Sequence, residues 1–86
     1  MKLSKEYVVH HSEGESLLVP TGTATFVGIV RGNKTFGAII DLLKEETDEE
    51  AIVAELTSRF DAPEETVRED VRKALSELKR IGAIDG

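Results

Sequence analysis

The sequence predicts an α+β fold in which three short strands come first and three helices follow. Two observations support this prediction. β-Branched and aromatic residues dominate the first third of the chain, and apolar residues recur with helical spacing from residue 36 onward. Segregation of strands and helices along a chain is typical of α+β folds. The length of 86 residues predicts a single domain, which we expect to span residues 1–86.

The strands are predicted from two apolar runs and a third β-prone segment. Residues 7–11 and 17–19 flank the polar, glycine-containing segment 12–16, a pattern that predicts a β-hairpin with a loop of about five residues. Residues 25–31 form the third run, in which Gly28 is typical of a bulge or of a close approach by another backbone. This third strand is either an ordinary half-buried strand or an open sheet edge that accepts an added strand.

The three helices are predicted from apolar stripes and from residues that cap helix ends. Asn33 is expected to cap the first helix, and Thr47 the second, with Glu50 completing a capping box. Pro63 lies in the first turn of the third helix, and Gly82 is expected to stop it. The apolar stripes comprise Phe36, Ile39, Ile40 and Leu43, then Ile52, Val53, Leu56 and Phe60, then Val67, Val71, Ala74, Leu75, Leu78 and Ile81.

Composition excludes several classes of protein. The chain has no Cys, which excludes disulfides and thiolate metal sites and suits a reducing cytoplasm. No apolar run approaches the ~20 residues that span a bilayer, and we expect no signal peptide. The net charge is −6, with +1 in residues 1–40 and −7 in residues 41–86. Non-specific nucleic-acid binding needs clustered basic residues, so this balance disfavours it.

The sequence contains no pattern typical of catalysis or metal binding. His10 and His11 are adjacent in a predicted strand, so their side chains point to opposite faces and do not converge on a metal. The acidic segment 45–50 lacks the alternating ligands and the glycine of a calcium loop, and indicates a solvated helix start. Glycine-rich phosphate loops and nucleophile elbows are also absent. We therefore expect neither enzymatic activity nor a cofactor.

The third helix carries five basic residues within the more acidic half of the chain. Two of them, Arg68 and Lys73, follow Glu64 and Glu69 by four residues, which favours ion pairs along the helix surface. The alternative is that these basic residues and their apolar neighbours form a groove for an acidic partner. The five residues are Arg68, Arg72, Lys73, Lys79 and Arg80.

Several segments together resemble the PqqD family, named for a small protein of pyrroloquinoline quinone biosynthesis. Residues 17–22 resemble its LLxPxG segment, and residues 33–40, with Gly37-Ala38, resemble the opening of its first helix. Residues 50–61 and 70–84 are similar to its second helix and to its C-terminal pattern. One position departs from the family, because Gly32 stands before Asn33 where Leu is frequent.

The resemblance implies a winged-helix-like domain with a three-stranded antiparallel sheet followed by three helices. PqqD-like domains are recognition elements for ribosomally made, post-translationally modified peptides. The leader of a precursor peptide adds a strand to the sheet, in the cleft between the third strand and the third helix. The domain acts as a peptide chaperone that presents the leader to a modifying enzyme, often a radical S-adenosylmethionine (SAM) protein of the SPASM type. The domain itself performs no chemistry and needs no cofactor.

Carried onto this chain, the resemblance implies a peptide-binding site on both sides of the cleft. Arg68 and Arg72 lie one turn apart and would flank an acidic residue of the leader. A homodimer through the third strand is a further alternative, as are a winged-helix nucleic-acid-binding role and another regulatory interaction role. The implied site residues are Val27, Ile29 and Arg31 on the strand, and Arg68, Val71, Arg72 and Leu75 on the helix.

Overall fold

The strands precede the helices, as the sequence predicts. A computed structural model of the chain describes residues 1–22 and 28–84. The three strands form an antiparallel sheet in the order β1-β2-β3, and three helices follow, so the predicted α+β arrangement is confirmed. The elements are β1 (Tyr7–Ser12), β2 (Glu15–Pro20), β3 (Val30–Gly32), α1 (Lys34–Leu42), α2 (Glu49–Arg59) and α3 (Glu64–Arg80).

The β1–β2 hairpin is tighter than predicted. Only Glu13 and Gly14 separate the strands, and Gly14 adopts a φ of 73°, in the left-handed region that glycine tolerates best. Ser12 pairs with Glu15 and His11 with Ser16, so the ladder continues through the polar residues assigned to the loop from sequence. The predicted five-residue loop is wrong because these polar side chains belong to a regular two-stranded ladder.

Strand β3 begins later than predicted and includes Gly32. It pairs with β2 through Leu18 opposite Val30 and Leu17 opposite Arg31. Because side chains alternate along a strand, Val30 shares the helix-facing side of the sheet with buried Leu18, and Arg31 shares the outer side with Leu17. Gly28 precedes the strand with a φ of 134°, a conformation that L side chains rarely adopt. Residues 25–27 of the predicted strand lie outside the described residues.

Side chains cap the starts of α1 and α2. Asn33 caps α1 as predicted, since its Oδ1 accepts a hydrogen bond from the Phe36 N–H at 3.0 Å. Helix α2 is capped by Asp48, whose Oδ1 accepts from the Ala51 N–H at 2.8 Å. The prediction of Thr47 as this cap is therefore wrong by one residue. A carboxylate at this position also lies favourably at the positive end of the helix dipole.

Helix α3 ends in a Schellman motif built on Gly82. Gly82 has a φ of 75° and donates its N–H to the Lys79 carbonyl at 3.1 Å, while the Ala83 N–H donates to the Leu78 carbonyl at 2.8 Å. These two bonds satisfy carbonyls that a helix end otherwise leaves unpaired. The turn directs buried Ala83 and Ile84 back onto the core.

Helix α1 lies at the centre of the fold. It packs against all three strands and against both other helices, whereas α3 makes no comparable contact with β3 in the described parts of the chain. The approach of α1 to β2 is close because Gly37 has no side chain: a Cβ there would lie 2.2 Å from the Ser16 Oγ. The largest fully buried side chains of the core are Leu18, Ile39, Ile40, Leu43, Ile52, Val53, Leu56, Val71 and Leu78.

The start of β1 is tied to the end of α3 by a buried hydrogen bond. The Tyr7 hydroxyl donates to the Ile81 carbonyl at 2.6 Å. Burial, with the negative charge of Glu6, raises the pKa of the Tyr7 phenol above its ordinary value. The neutral phenol is thus the form that the folded chain favours.

Leu78→Ala is expected to lower the free energy of unfolding by about 2–5 kcal/mol, because it removes a fully buried side chain and leaves a cavity. Val8→Ala is the control, since Val8 is 53% exposed and its truncation should cost less than about 0.5 kcal/mol. Urea denaturation of both variants measures the difference. Equal stabilities would contradict the placement of Leu78 in the core.

Tyr7→Phe is expected to lower the free energy of unfolding by about 1–3 kcal/mol near neutral pH, because the Ile81 carbonyl loses its donor. The raised pKa of Tyr7 stabilises the fold fully below pH 10, and this stabilisation is lost as the pH rises through the folded-state pKa. The stability difference between wild type and variant should therefore shrink above pH 10. Denaturation curves at neutral and alkaline pH check this, and a constant difference would contradict it.

Candidate functional site

A groove of about 300 Å³ lies between β3 and α3, with α1 as its floor. It exists because α1 separates the two walls: α1 contacts both β3 and α3, which do not pack directly on each other in the described residues. Val30 and Arg31 line the strand wall, and Phe36 and Ile39 line the floor. The apolar residues of this lining also pack against the core, so the floor of the groove is continuous with the hydrophobic core.

Phe36 fills the space that the absent side chain of Gly32 leaves. A Cβ on Gly32 would lie 2.3 Å from the Phe36 ring, so the ring rests directly against the backbone of β3. The chain departs from the PqqD pattern at Gly32, and here an aromatic side chain from α1 supplies apolar surface at that place. The floor of the groove is thus aromatic and close to the strand.

Among the described residues, the outer edge of β3 has no partner strand. In the described sheet β3 pairs with β2 alone, so one side of Val30–Gly32 retains unpaired backbone groups. Ile29, the residue before the strand, is 57% exposed although it is large and apolar. An extended chain that paired with this edge would place alternate side chains over the groove.

The α3 wall presents charged groups around a small residue. Asp70, Lys73, Ala74 and Glu77 line the groove and follow the three- and four-residue spacing of one helix face. The Arg80 guanidinium donates to the Glu77 carboxylate, with Nε at 3.0 Å from Oε2, and lowers the pKa of Glu77. Neither Asp70 nor Lys73 forms an ion pair within residues 1–22 and 28–84. Lys73 therefore lines the groove without an ion-pair partner among the described residues.

The predicted strand residues lie near the groove where the structure describes them. Ile29 and Arg31 lie at the open edge, with Arg31 in the groove lining, whereas Val27 lies outside the described residues. On α3 the two predicted apolar residues are in the core, because Val71 is 0% and Leu75 4% exposed. Whether any of these residues contacts a peptide stays a prediction.

Arg68 and Arg72 face α2 rather than the groove. Arg68 makes a two-pronged contact with the Glu50 carboxylate, at 2.5 and 3.1 Å, and the Arg72 Nε lies 3.2 Å from Glu49. Hydrogen bonding from Arg68 lowers the pKa of Glu50. The predicted partner of Arg68 within its own helix, Glu64, is not its hydrogen-bond partner. The role of both arginines in peptide binding stays a prediction, with their charges already engaged across the helix pair.

A second cavity, of about 300 Å³, lies between the hairpin and α1 and contains a chain of polar side chains. The His11 ring bonds Ser16 Oγ through Nδ1 at 2.7 Å and Asp41 through Nε2 at 3.0 Å. Partial burial alone would raise the pKa of Asp41, but hydrogen bonds from His11 and Lys44 outweigh it and lower the pKa.

Sequence reasoning missed this contact, although the cross-strand pairing of His11 with Ser16 follows from a two-residue loop. The acid–histidine–serine order resembles that of a catalytic triad. Ser16 is only 4% exposed, however, and its Oγ lies against Gly37, which leaves little room around the hydroxyl for a substrate carbonyl. The cluster ties the hairpin to α1.

Two further classes of feature are not found where the structure describes the chain. Within residues 1–22 and 28–84, no group of three His, Asp or Glu side chains is arranged to hold a metal ion. Among the same residues, no helix has the length and apolar character needed to cross a membrane.

Comparisons with known proteins agree with this geometry. No curated protein matches the chain. Among solved structures, the fold is similar to TbiB1 in complex with the TbiA(beta) leader peptide, with a TM-score of 0.81 and 26% sequence identity over 100% of this chain and 96% of that chain. The family model for PqqD, coenzyme PQQ synthesis protein D, matches residues 6–84. Because this match covers nearly the whole sequence, the chain belongs to the PqqD family.

Proposed function

We propose that the chain is a non-catalytic module that binds the leader of a ribosomally made precursor peptide, with residues 1–86 acting as one recognition domain. The observation that carries the proposal is the edge of β3, which has no partner strand in the described sheet, beside a groove with an apolar floor. Strand addition at such an edge supplies backbone hydrogen bonds, and the groove supplies selectivity for alternate side chains. Membership of the PqqD family supports the same function.

The structural similarity to TbiB1 supports the choice of ligand. That protein was solved with a leader peptide, and its fold covers the whole of this chain. We infer that the leader lies along β3 with side chains over Phe36, Ile39 and Ala74. On α3 this arrangement uses groove-facing residues, whereas peptide-binding roles for Arg68, Val71, Arg72 and Leu75 remain predictions from the family resemblance.

We further propose a cytoplasmic location and a modifying enzyme as second partner, of the radical SAM type with a SPASM domain. This part rests on the family resemblance and on the absence of Cys, which suits a reducing compartment. Nucleic-acid binding fits the charges less well. Three arginines of α3 are already bound to carboxylates, Arg68 and Arg72 to α2 and Arg80 to Glu77.

The β3 edge also offers a pairing site for a second copy of the chain. Both occupants would use the same backbone groups, so a homodimer through β3 and a bound leader exclude each other. Sedimentation velocity, measured with and without the leader, distinguishes the homodimer from the leader complex. A leader that binds this edge should convert any dimer to monomer.

The first test follows backbone amide shifts while the labelled chain is titrated with the leader of the precursor encoded beside its gene. We expect the largest shifts at residues 29–32 and along the groove-facing side of α3, because strand addition changes the hydrogen bonding of β3 directly. Shifts confined to the β1 edge or to α2, or none at about 100 µM leader, a concentration that detects binding free energies near −5.5 kcal/mol, would contradict the proposal.

Ala74→Arg is expected to weaken leader binding at least tenfold, which corresponds to about 1.4 kcal/mol, because a long side chain would fill the groove from the α3 wall. Ala54→Arg, an equivalent change at an exposed position of α2, is the matched control and should leave affinity unchanged. Calorimetric titration measures both variants. Equal affinities would place the leader outside the groove.

The variant Arg72→Glu tests whether Arg72 contributes to leader binding or only to the ion pairs between α2 and α3. The change replaces an exposed ion pair with Glu49 by a repulsion between two carboxylates, so the expected loss of stability is about 1 kcal/mol. Leader affinity should stay within about twofold of wild type, because Arg72 faces α2. A large loss of affinity at unchanged stability would instead assign Arg72 to the binding site, as the family resemblance implies.

A further inference from the structure

We propose that Lys73 selects leaders that carry an acidic side chain next to the apolar residue seated in the groove. This inference rests on the proposed function and names the chemistry that the β3–α3 groove recognises. Lys73 would be a specificity-determining residue, which contacts a leader carboxylate directly.

The charges of α3 single out Lys73. Arg68 and Arg72 are bound to acids of α2, and Arg80 is bound to Glu77 within α3. Lys79 forms no ion pair in the described residues but does not line the groove. Lys73 alone among these five basic residues both lines the groove and lacks an acidic partner in the described parts of the chain.

The neighbours of Lys73 define where an acidic side chain fits. Ala74 is small and half-buried, and it lies in the same lining as the Phe36 ring, which leaves room for a bulky apolar side chain of the leader. The flexible stem of lysine allows its ammonium group to reach a carboxylate beside that position. Asp70, one turn earlier and also without an ion pair in the described residues, repels acids there and so restricts the carboxylate to the Lys73 end.

The expected effect is moderate because Lys73 is exposed. An ion pair at a partly solvated site is worth little, and reversal of the charge turns attraction into repulsion. Lys73→Glu should therefore weaken binding of an acidic peptide roughly three- to tenfold, with a smaller effect at high salt.

The test selects peptides from a display library of random segments of about twelve residues, a length that exceeds a typical strand. The library is selected separately against wild type, Lys73→Glu and the matched control Lys79→Glu. Lys79 has the same residue type, helix and charge change, but lies outside the groove. We expect wild type and Lys79→Glu to enrich Asp or Glu at one position beside an apolar residue, and Lys73→Glu to enrich Lys or Arg there.

Two results distinguish failure of this inference from failure of the proposed function. If the selected peptides lose affinity for Ala74→Arg but show no acidic preference, or a preference that Lys73→Glu leaves unchanged, the groove binds peptides and the role of Lys73 is overturned. If no selected peptide depends on Ala74, the peptide-binding groove itself is overturned.

Discussion

The close approach of α1 to the sheet is the constraint on which the other features depend. Gly37 permits this approach, because any side chain there would meet the Ser16 hydroxyl. With α1 held against the strands, α2 and α3 pack on α1, and α3 makes no comparable contact with β3 in the described residues. The groove is therefore a consequence of the layer order. If β3 packed directly on α3, the groove between them would be closed.

The ion pairs between α2 and α3 account for two of the five basic residues of α3. Glu49 and Glu50 lie in the first turn of α2, where their negative charges interact favourably with the positive end of the helix dipole. The same carboxylates form ion pairs with Arg72 and Arg68 of α3. Those two basic residues thus connect α3 to α2 through ion pairs. Among the five basic residues of α3, Lys73 is the one that lines the groove without an ion pair in the described parts of the chain.

Much of the fold follows from sequence, because local rules determine it. The spacing of Val67, Val71, Leu75 and Leu78 predicts the buried stripe of α3, and Asn33 predicts the start of α1. The site was harder to predict. Arg68 has an acid at helical spacing, yet it binds Glu50, 18 residues away, because α2 and α3 pack against each other. Likewise, the polar residues of segment 12–16 are typical of a loop, so the sequence did not predict that the strand pairing continues to Ser12 and Glu15.

The contact between Gly32 and Phe36 makes two positions of the chain interdependent. The strand position and the helix position share one volume, which only one large side chain can occupy. A leucine introduced at position 32 would therefore need a smaller residue, or a different rotamer, at position 36. The shape of the groove at this point is thus determined by the two positions together.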